Sequence, residues 1–543
     1  MFAVRGRIVP LSADREVSKG ELDAFAGTVW LGDDGMVTAI THGTHGTHGT
    51  HGAHGTHGHA AAPPGFEKAP VVDVGSSLVF PGLIDLHNHL AYNTLPLWTE
   101  ETRDKAKPFL HHNSWPGAQS YAASVTWPAY AFITASPQEL LAYAETRAIV
   151  GGTTTIQGSP PKNRPRDGWV VRNAEDETWG THDTNLIQAS TLTLNPEGLL
   201  KKAARMRQGS AFIYHCSEGQ VGTVVAQEFH DAKKADCLQE RFIAVHCNAI
   251  DPKDFAGWRR HGAVVWSPFS NLWLYSSTTN VPAAMEAGQT VCLGSDWGPS
   301  GTRSVLGELK VARLVSDENQ WGLSDSDLVR MVTTNPGDVL ARPWKRQVGR
   351  LQPGAVGDLL VIRAGPRVDP FRALLSARER DVELVVIGGR AQYGQPALMA
   401  RAGRNGTATT SLSVDGEARA MVLTRPDDPG ATWEWDDVVA RMEVVREHPM
   451  REIEKGRTRQ EAAMASVYLA RSRNGGRPVP QPPLRLALDM PTGLTPLGGL
   501  PKNLDEITVP ALAGLSHDGE FLDSIVGRGY HGGVLDDLAR FYR

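Results

Sequence analysis

The 543-residue chain has little cysteine: only Cys216, Cys237, Cys247 and Cys292, none of them in C-x-x-C spacing. That excludes a disulfide framework and a structural zinc knuckle, and leaves buried thiols as the reading. No uninterrupted apolar stretch approaches the roughly 20 residues needed to span a bilayer, and the opening MFAVRGRIVPLSADREV lacks the apolar segment of a signal peptide. A soluble, cytoplasmic protein is expected. A dominant charge sign is also missing. Lys plus Arg (55) nearly balances Asp plus Glu (60), for a net charge of −5, so nothing electrostatic points to nucleic acid or an anionic membrane as partner. The expected partner is a small-molecule substrate, and the expected assembly a homo-oligomer, a dimer. Neither H-E-x-x-H nor the H-x-E with P-C-x-x-C of the zinc nucleobase deaminases built on another fold occurs.

What is present is apolar material in alternating patterns. A hydrophobic content of 41% is ample for a large core, and the length suits two or three domains. Residues 2 to 40 read as short strands broken by turns, with an Asp-Gly turn signal in GTVWLGDDGMVTAI. From 81 to about 344, β-like runs (TTTIQG, NLIQAST, AFIYH, FIAVH, AVVWS, TVCLGSD) alternate with helix-like segments such as SPQELLAYAETRAIV, NPEGLLKKAARMRQ and LVRMVTTNPGDVLA. That rhythm predicts an α/β protein, a (β/α)8 TIM-type barrel over 77–344. The flanks 1–76 and 345–400 return to strand character and are expected to form one small β-sandwich-like domain. Residues 401–543 form a C-terminal extension, helical over 436–473 and proline-rich over 474–510. Gly527 to Gly532, GRGYHG, matches G-x-G-x-x-G, but too few residues follow for a dinucleotide-binding unit, so it reads as a glycine-rich turn.

Seven of the nineteen histidines crowd into THGTHGTHGTHGAHGTHGH, residues 41–59. Gly-rich composition gives this tract no fixed geometry for a closed coordination sphere, so it reads as a low-complexity expansion in a surface loop. A noncatalytic metal-binding protein built on this tract is the reading from a different functional class. It predicts several weakly held equivalents of metal and no hydrolysis.

The informative histidines are scattered singly. In FPGLIDLHNHL, His87 and His89 lie two apart, and strand alternation turns both to one face. Alone, an H-x-H also describes two solvent-facing histidines. Three further segments end apolar runs where an open barrel face would lie: AFIYHCSEG with His215 and Glu218, FIAVHCNAI with His246, and TVCLGSDWGPSG with Asp296. Imidazoles plus a carboxylate suit Zn²⁺ or Fe²⁺, with space for a water. Cys216 and Cys247 adjoin these histidines on the opposite strand face and read as core thiols.

With these motifs in order, the chain resembles the amidohydrolase superfamily, specifically its mononuclear deaminase and chlorohydrolase-like branch. PGLIDLHNH, GGTTTIQG, H-x-x-E in HCSE, VHC, SPFSNLWL, LGSDW, TTNPGDVL and GRLQPGAVGDLLVI carry the resemblance over about 75–395. It implies His87, His89, His215 and Asp296 as metal ligands, Glu218 as proton shuttle, and His246 beside the metal water or substrate. Dinuclear branches use a lysine at the end of the fourth strand. NLIQAST has none, so one divalent ion is expected, Zn²⁺ first and Fe²⁺ second.

The chemistry follows from the residue types. A divalent cation lowers the pKa of its water from about 16 toward about 7. Asp296 can then accept a proton, Glu218 can protonate a ring nitrogen or leaving amine, and His246 can orient the nucleophile. The expected activity is hydrolysis of a non-peptide C–N bond, foremost deamination of a heterocyclic amidine-type substrate. The same site would serve a cyclic amide or imide hydrolase or a dechlorinating hydrolase. Aromatic-rich loops suggest a flat substrate, with Asn271, Trp273 and Trp297 as pocket residues.

Overall fold

The computed structural model describes residues 1–12, 24–43, 61–104, 106–158, 170–175, 177, 179, 186–258, 262–403, 407–425, 428–472, 484–490 and 507–543. Of the histidine tract only Thr41, His42 and Gly43 fall within them. His42 ends a strand and stacks on Phe25 at 4.1 Å. The expectation for the rest of the tract lies outside the described residues.

Eight short parallel strands carry the center of the molecule. In chain order they are Leu83–Asp85, Thr153–Ile156, Arg172–Asn173, Ile187–Ser190, Ala211–Cys216, Phe242–His246, Ala263–Trp266 and Thr290–Leu293. Strands such as AFIYHC, FIAVH and AVVW are buried along their whole length. Continuous burial requires cover on both faces, which is why they read as unbroken apolar runs rather than alternating ones. The first three strands form one parallel sheet and the last five another. A parallel bridge between Asn88 and Asp296, with Asp296 N donating to His87 O at 2.9 Å and His89 N to Asp296 O at 3.0 Å, joins the first strand's exit to the eighth's. The third strand is only two residues long, and sequence periodicity does not mark it.

The flanks meet in a nine-stranded sheet. Its order is Thr410–Val414, Glu417–Met421, Arg390–Gly394, Val382–Ile387, Leu359–Ile362, Val71–Pro81, Phe2–Ile8, Phe25–Leu31 and Val37–His42. The antiparallel register Leu359↔Pro81 to Ile362↔Leu78 stitches the C-terminal flank to the N-terminal one. Two of these strands, spanning 410–414 and 417–421, lie beyond the residue 400 at which the sequence reading begins its extension. Val71–Pro81 runs through Gly82 directly into the first parallel strand, so the sheet and the strand that carries His87 are covalently continuous. Arg172, on the third strand, forms a bidentate ion pair with Asp358, just before the sheet strand Leu359–Ile362, and both side chains are buried.

The extension is not a loose tail. Trp435–Glu447 and Pro449–Ser472 are helices packed on the helices Trp127–Ala135 and Pro137–Val150. Residues 507–543 return to the parallel strands' helices: Tyr143 Oη donates to Ala513 O at 2.7 Å, and Arg303 N to His517 Nε2 at 2.9 Å. Trp435, Phe521 and Leu538 therefore share one core with Phe132 and Leu141. In the GRGYHG turn, Gly529 has φ +64° and a Cβ there would lie 2.6 Å from the Trp273 ring, so both conformation and space demand glycine. All four cysteines are buried thiols. No helix among the described residues is long and apolar enough to cross a membrane.

Candidate functional site

His87 and His89 follow the first strand, and their backbone is braced before their side chains do anything. The buried Asp85 carboxylate accepts from the backbone N–H of His87 (3.4 Å) and of Ser295 (3.1 Å), and from Asn88 Nδ2 (3.3 Å). Burial pushes Asp85 up to about 6 even with these donors. Gly294 is the other half of this brace: a Cβ there would sit 2.4 Å from His87 Cβ, so only glycine lets the eighth strand approach the first this closely.

Four residues at or just past the strand ends adopt left-handed backbone conformations: Ser217 (φ 57°), His246 (φ 66°), Cys247 (φ 60°) and Asp296 (φ 62°). For non-glycine residues this conformation is uncommon and costs about 1–3 kcal/mol each. It turns the chain sharply where the strands stop.

Four imidazoles converge there. Ring centroids lie 4.6 Å apart for His87 and His215, 4.9 Å for His87 and His89 and for His87 and His246, and 5.1 Å for His215 and His246. Asp296 Oδ1 sits 3.1 Å from His87 Nε2 and 3.4 Å from His89 Nε2. Two sets, His87 with His215 and His246, and His87 with His89 and Asp296, each bring their ligand atoms within 4.8 Å of one another. His87 Nδ1 and Nε2, His89 Nε2 and Asp296 Oδ1 are buried without a hydrogen-bond partner. Buried orphaned donors and acceptors of this kind are costly unless something coordinates them. A divalent cation fits: nitrogen and oxygen donors of the right type and mutual spacing are present, and the orphaned atoms are those a cation would satisfy. Burial together with the neighboring imidazoles depresses the basicity of His87, and burial drives His246 down to about 3, so both are neutral and suited to ligation at neutral pH. Burial raises the pKa of Asp296, against the pull of His246 and His89.

Glu218 lies beside this cluster. Its Oε1 accepts from Tyr275 Oη at 2.6 Å, and the same hydroxyl accepts from Trp115 Nε1 at 2.7 Å. Its Oε2 is 3.6 Å from His246 Nε2, 3.6 Å from His112 Nδ1 and 3.8 Å from His215 Nδ1. Burial alone would favor the acid, but His246, His215 and His112 outweigh it and hold the carboxyl well below its usual range. Glu218 is thus ionized at neutral pH.

The three candidate pocket residues separate. Asn271 Nδ2 donates to His246 Nδ1 at 3.2 Å, and the Trp297 ring lies 6.3 Å from that of His89, next to Tyr92 and Trp115. Trp273 is held elsewhere: its indole N–H donates to Trp98 O at 2.8 Å and its ring stacks on Phe269 and His531. Sequence reasoning missed Asp85, His112, Tyr275 and Asp489. Asp489, in the extension, lies 2.8 Å through Oδ2 from His89 Nδ1. Burial opposes charge on His89, yet Asp489, with Asp296 and Glu218, raises it to about 9. Tyr275 closes the helix Pro268–Tyr275, one residue past the SPFSNLWL motif, and His112 sits in the HHN stretch after the first strand. No local pattern distinguishes Asp489.

Known proteins bear on this geometry. The chain is 28% identical over 212 residues to a 5'-deoxyadenosine deaminase of Methanopyrus kandleri, covering 36% of this chain and 48% of that relative, about half its length. It is 26% identical over 364 residues to a 5-methylthioadenosine/S-adenosylhomocysteine deaminase of Syntrophobacter fumaroxidans, covering 60% of this chain and 82% of the relative. Among solved structures, a zinc-bound adenosine deaminase from Xanthomonas campestris superposes with a TM-score of 0.51 at 16% identity, over 74% of this chain and 96% of that one. Escherichia coli guanine deaminase gives 0.52 at 15%, over 73% and 99%. At such identities these neighbors establish the TIM-type α/β fold. The profile of the amidohydrolase family matches residues 78–391, more than half of the sequence, and the chain belongs to that family.

Proposed function

We propose that the protein is a mononuclear metal-dependent deaminase that removes an exocyclic amino group from a purine-type ring, with His87, His89, His215 and Asp296 holding one Zn²⁺. The observation that carries this reading is the set of orphaned imidazole and carboxylate atoms converging beside Glu218. A single ion is favored because the fourth strand, Ile187–Ser190, carries no lysine. The relatives named as deaminases of 5'-deoxyadenosine and 5-methylthioadenosine support an adenine-bearing small molecule as substrate. The fold that goes with this reading is a closed barrel over 77–344, with 1–76 and 345–421 as one small domain and the rest, 422–543, as an extension.

When bound, the cation supplies a water acidic enough to be a nucleophile at neutral pH. Asp296, which holds the ion through the oxygen facing His87 and His89, accepts a proton at its other carboxylate oxygen. His246, held by Asn271, orients the nucleophile toward the sp² carbon that bears the amino group. Glu218, ionized by the imidazoles around it, receives a proton at Oε2 and delivers it to the ring nitrogen or the departing amine. Tyr275 keeps the other carboxylate oxygen occupied, so the shuttle works through one atom. Trp297, Trp115 and Tyr92 offer an aromatic, apolar wall that excludes water from the ring.

Metal analysis with ammonia release across adenosine analogues, guanine and cyclic imides tests the proposal. One tightly held equivalent is expected. Glu218→Gln should lower kcat by about 100- to 10,000-fold with metal retained, whereas Asp296→Asn should lower both turnover and metal affinity. Protein without metal whose turnover neither substitution changes, or activity confined to cyclic imides, overturns it.

A further inference from the structure

The segment 484–490, LRLALDM, lies nearly a hundred residues beyond the family match, yet it closes on the strand-end face of the parallel strands. Leu484 and Met490 are buried at its two ends. Three contacts seat its C-terminal end. His89 Nδ1 meets Asp489 Oδ2 at 2.8 Å, Thr191 Oγ1 donates to Asp489 O, and Met490 N donates to Tyr92 Oη at 3.4 Å. His89 and Tyr92 follow the first strand and Thr191 follows the fourth, so the segment bridges two strand exits.

Chemistry gives that contact a purpose. An imidazole that ligates through Nε2 must carry its proton on Nδ1, and an acceptor at Nδ1 selects this tautomer, fixes the ring's rotation and increases its basicity as a ligand. Among the four imidazoles, His89 is the one whose Nδ1 meets a carboxylate at hydrogen-bond distance. His215 Nδ1 is 3.8 Å from Glu218, His246 Nδ1 faces the Asn271 amide, and His87 Nδ1 has no partner. His89 Nε2, in turn, is buried, unpartnered and 3.4 Å from Asp296 Oδ1, as a ligand atom aimed at the shared center should be.

We propose that Asp489 is a positioning residue of the metal centre, delivered by the C-terminal extension, which accepts the His89 Nδ1 proton and so holds Nε2 toward the ion. The inference rests on the metal site proposed above. It makes the extension part of the active site: the metal centre of this chain is completed by a carboxylate from outside the family's own span.

The test uses the full-length protein and reads metal affinity by chelator competition, together with the visible spectrum of the Co²⁺-substituted form. Asp489→Ala should weaken metal binding about 10- to 100-fold and shift the Co²⁺ bands, because losing the outer partner of a ligating histidine has that magnitude. Asp489→Asn keeps an acceptor and should recover part of the loss, which a purely structural role would not produce. Thr191→Val, which loosens the segment without touching the imidazole, should move affinity in the same direction by a smaller factor and serves if the alanine variant does not fold. His87→Ala is the control: it should abolish binding. If His87→Ala retains wild-type affinity, the metal site is wrong and the inference falls with it. If His87→Ala loses metal while Asp489→Ala keeps wild-type affinity and spectrum, the inference alone is overturned. Unchanged metal affinity with higher kcat/KM in Asp489→Ala also overturns it, and would make the segment a plug.

Discussion

His246 and Asp296 leave their strands with positive φ, 66° and 62°, a conformation uncommon outside glycine, although Asp and His enter it more readily than most residues. Strain of this kind persists where surroundings overdetermine it, and it clusters at sites of function. Here the turn carries each side chain into the crater, which a residue continuing the strand would not reach in the same way. Residues of a second kind act on the reacting groups only through others. Tyr275 is the clearest, donating to Glu218 at 2.6 Å while Trp115 donates to it. A hydrogen bond to a charged group contributes about 1.5–3 kcal/mol, so Tyr275→Phe should lower kcat roughly 10- to 100-fold while leaving metal content intact. Steady-state kinetics on metal-quantified enzyme measure this, and an unchanged kcat would reduce Tyr275 to packing. At this scale the candidate ligands were legible because each ends an apolar run in a recognizable order. Tyr275, His112 and Asp489 were not, since a residue whose partner is distant in sequence leaves no periodicity.

Single elements also carry stored electrostatics. The helix Val305–Glu318 buries Glu308, whose oxygens accept from Phe269 N at 2.8 Å and Thr302 Oγ1 at 2.7 Å. Burial nevertheless pushes this carboxyl from its ordinary 4.5 up to about 8. Between these values the folded chain binds more protons than the unfolded one, so stability from this group is full below pH 4.5 and declines as pH rises toward 8. The slope is at most about 1.4 kcal/mol per pH unit. Glu308→Gln should flatten the decline, seen as a smaller difference between unfolding midpoints at pH 5 and pH 8 than in the wild type. Equal differences in both proteins would refute the assignment. Elements were read well where they are long and apolar: Pro137–Val150 and Pro196–Arg207 coincide with the predicted helices. LVRMVTTNPGDVLA, a single segment in the sequence, is two helices, Asp325–Arg330 and Thr334–Trp344, because the chain breaks at Thr333 (φ −130°, ψ −91°).

For the whole molecule, the parallel strands are held from both sides, by the flank sheet and by the extension. The buried Arg172–Asp358 pair is the link to the sheet. Removing one partner of such a pair leaves an uncompensated charge at a cost of about 3–5 kcal/mol. Asp358→Asn should therefore lower the melting temperature markedly, with kcat of the surviving folded protein close to wild type. A melting point within a degree or two of the wild type would show the pair to be dispensable. Metal should act in the opposite sense. A ligand at 100 times its dissociation constant that binds only the folded chain stabilizes it by about 2.7 kcal/mol. Chelation should thus lower the melting temperature of the wild type and leave that of His87→Ala unmoved, as differential scanning calorimetry would record.

The sequence by itself determined the parallel-strand architecture and the ordered positions of His87, His89, His215, Glu218, His246 and Asp296, because buried strands and strand-end ligands are written in contiguous residues. It also turned attention from the abundant histidines of 41–59 to the scattered ones. Only the tertiary structure decided that the sheet continues to Met421, that Trp273 packs against the extension while Trp297 faces His89, and that Asp489 reaches His89 across 400 positions. Those outcomes depend on where chain segments dock after the strands have formed, and docking is settled by burial and hydrogen-bond partners contributed by distant segments, which no local pattern encodes.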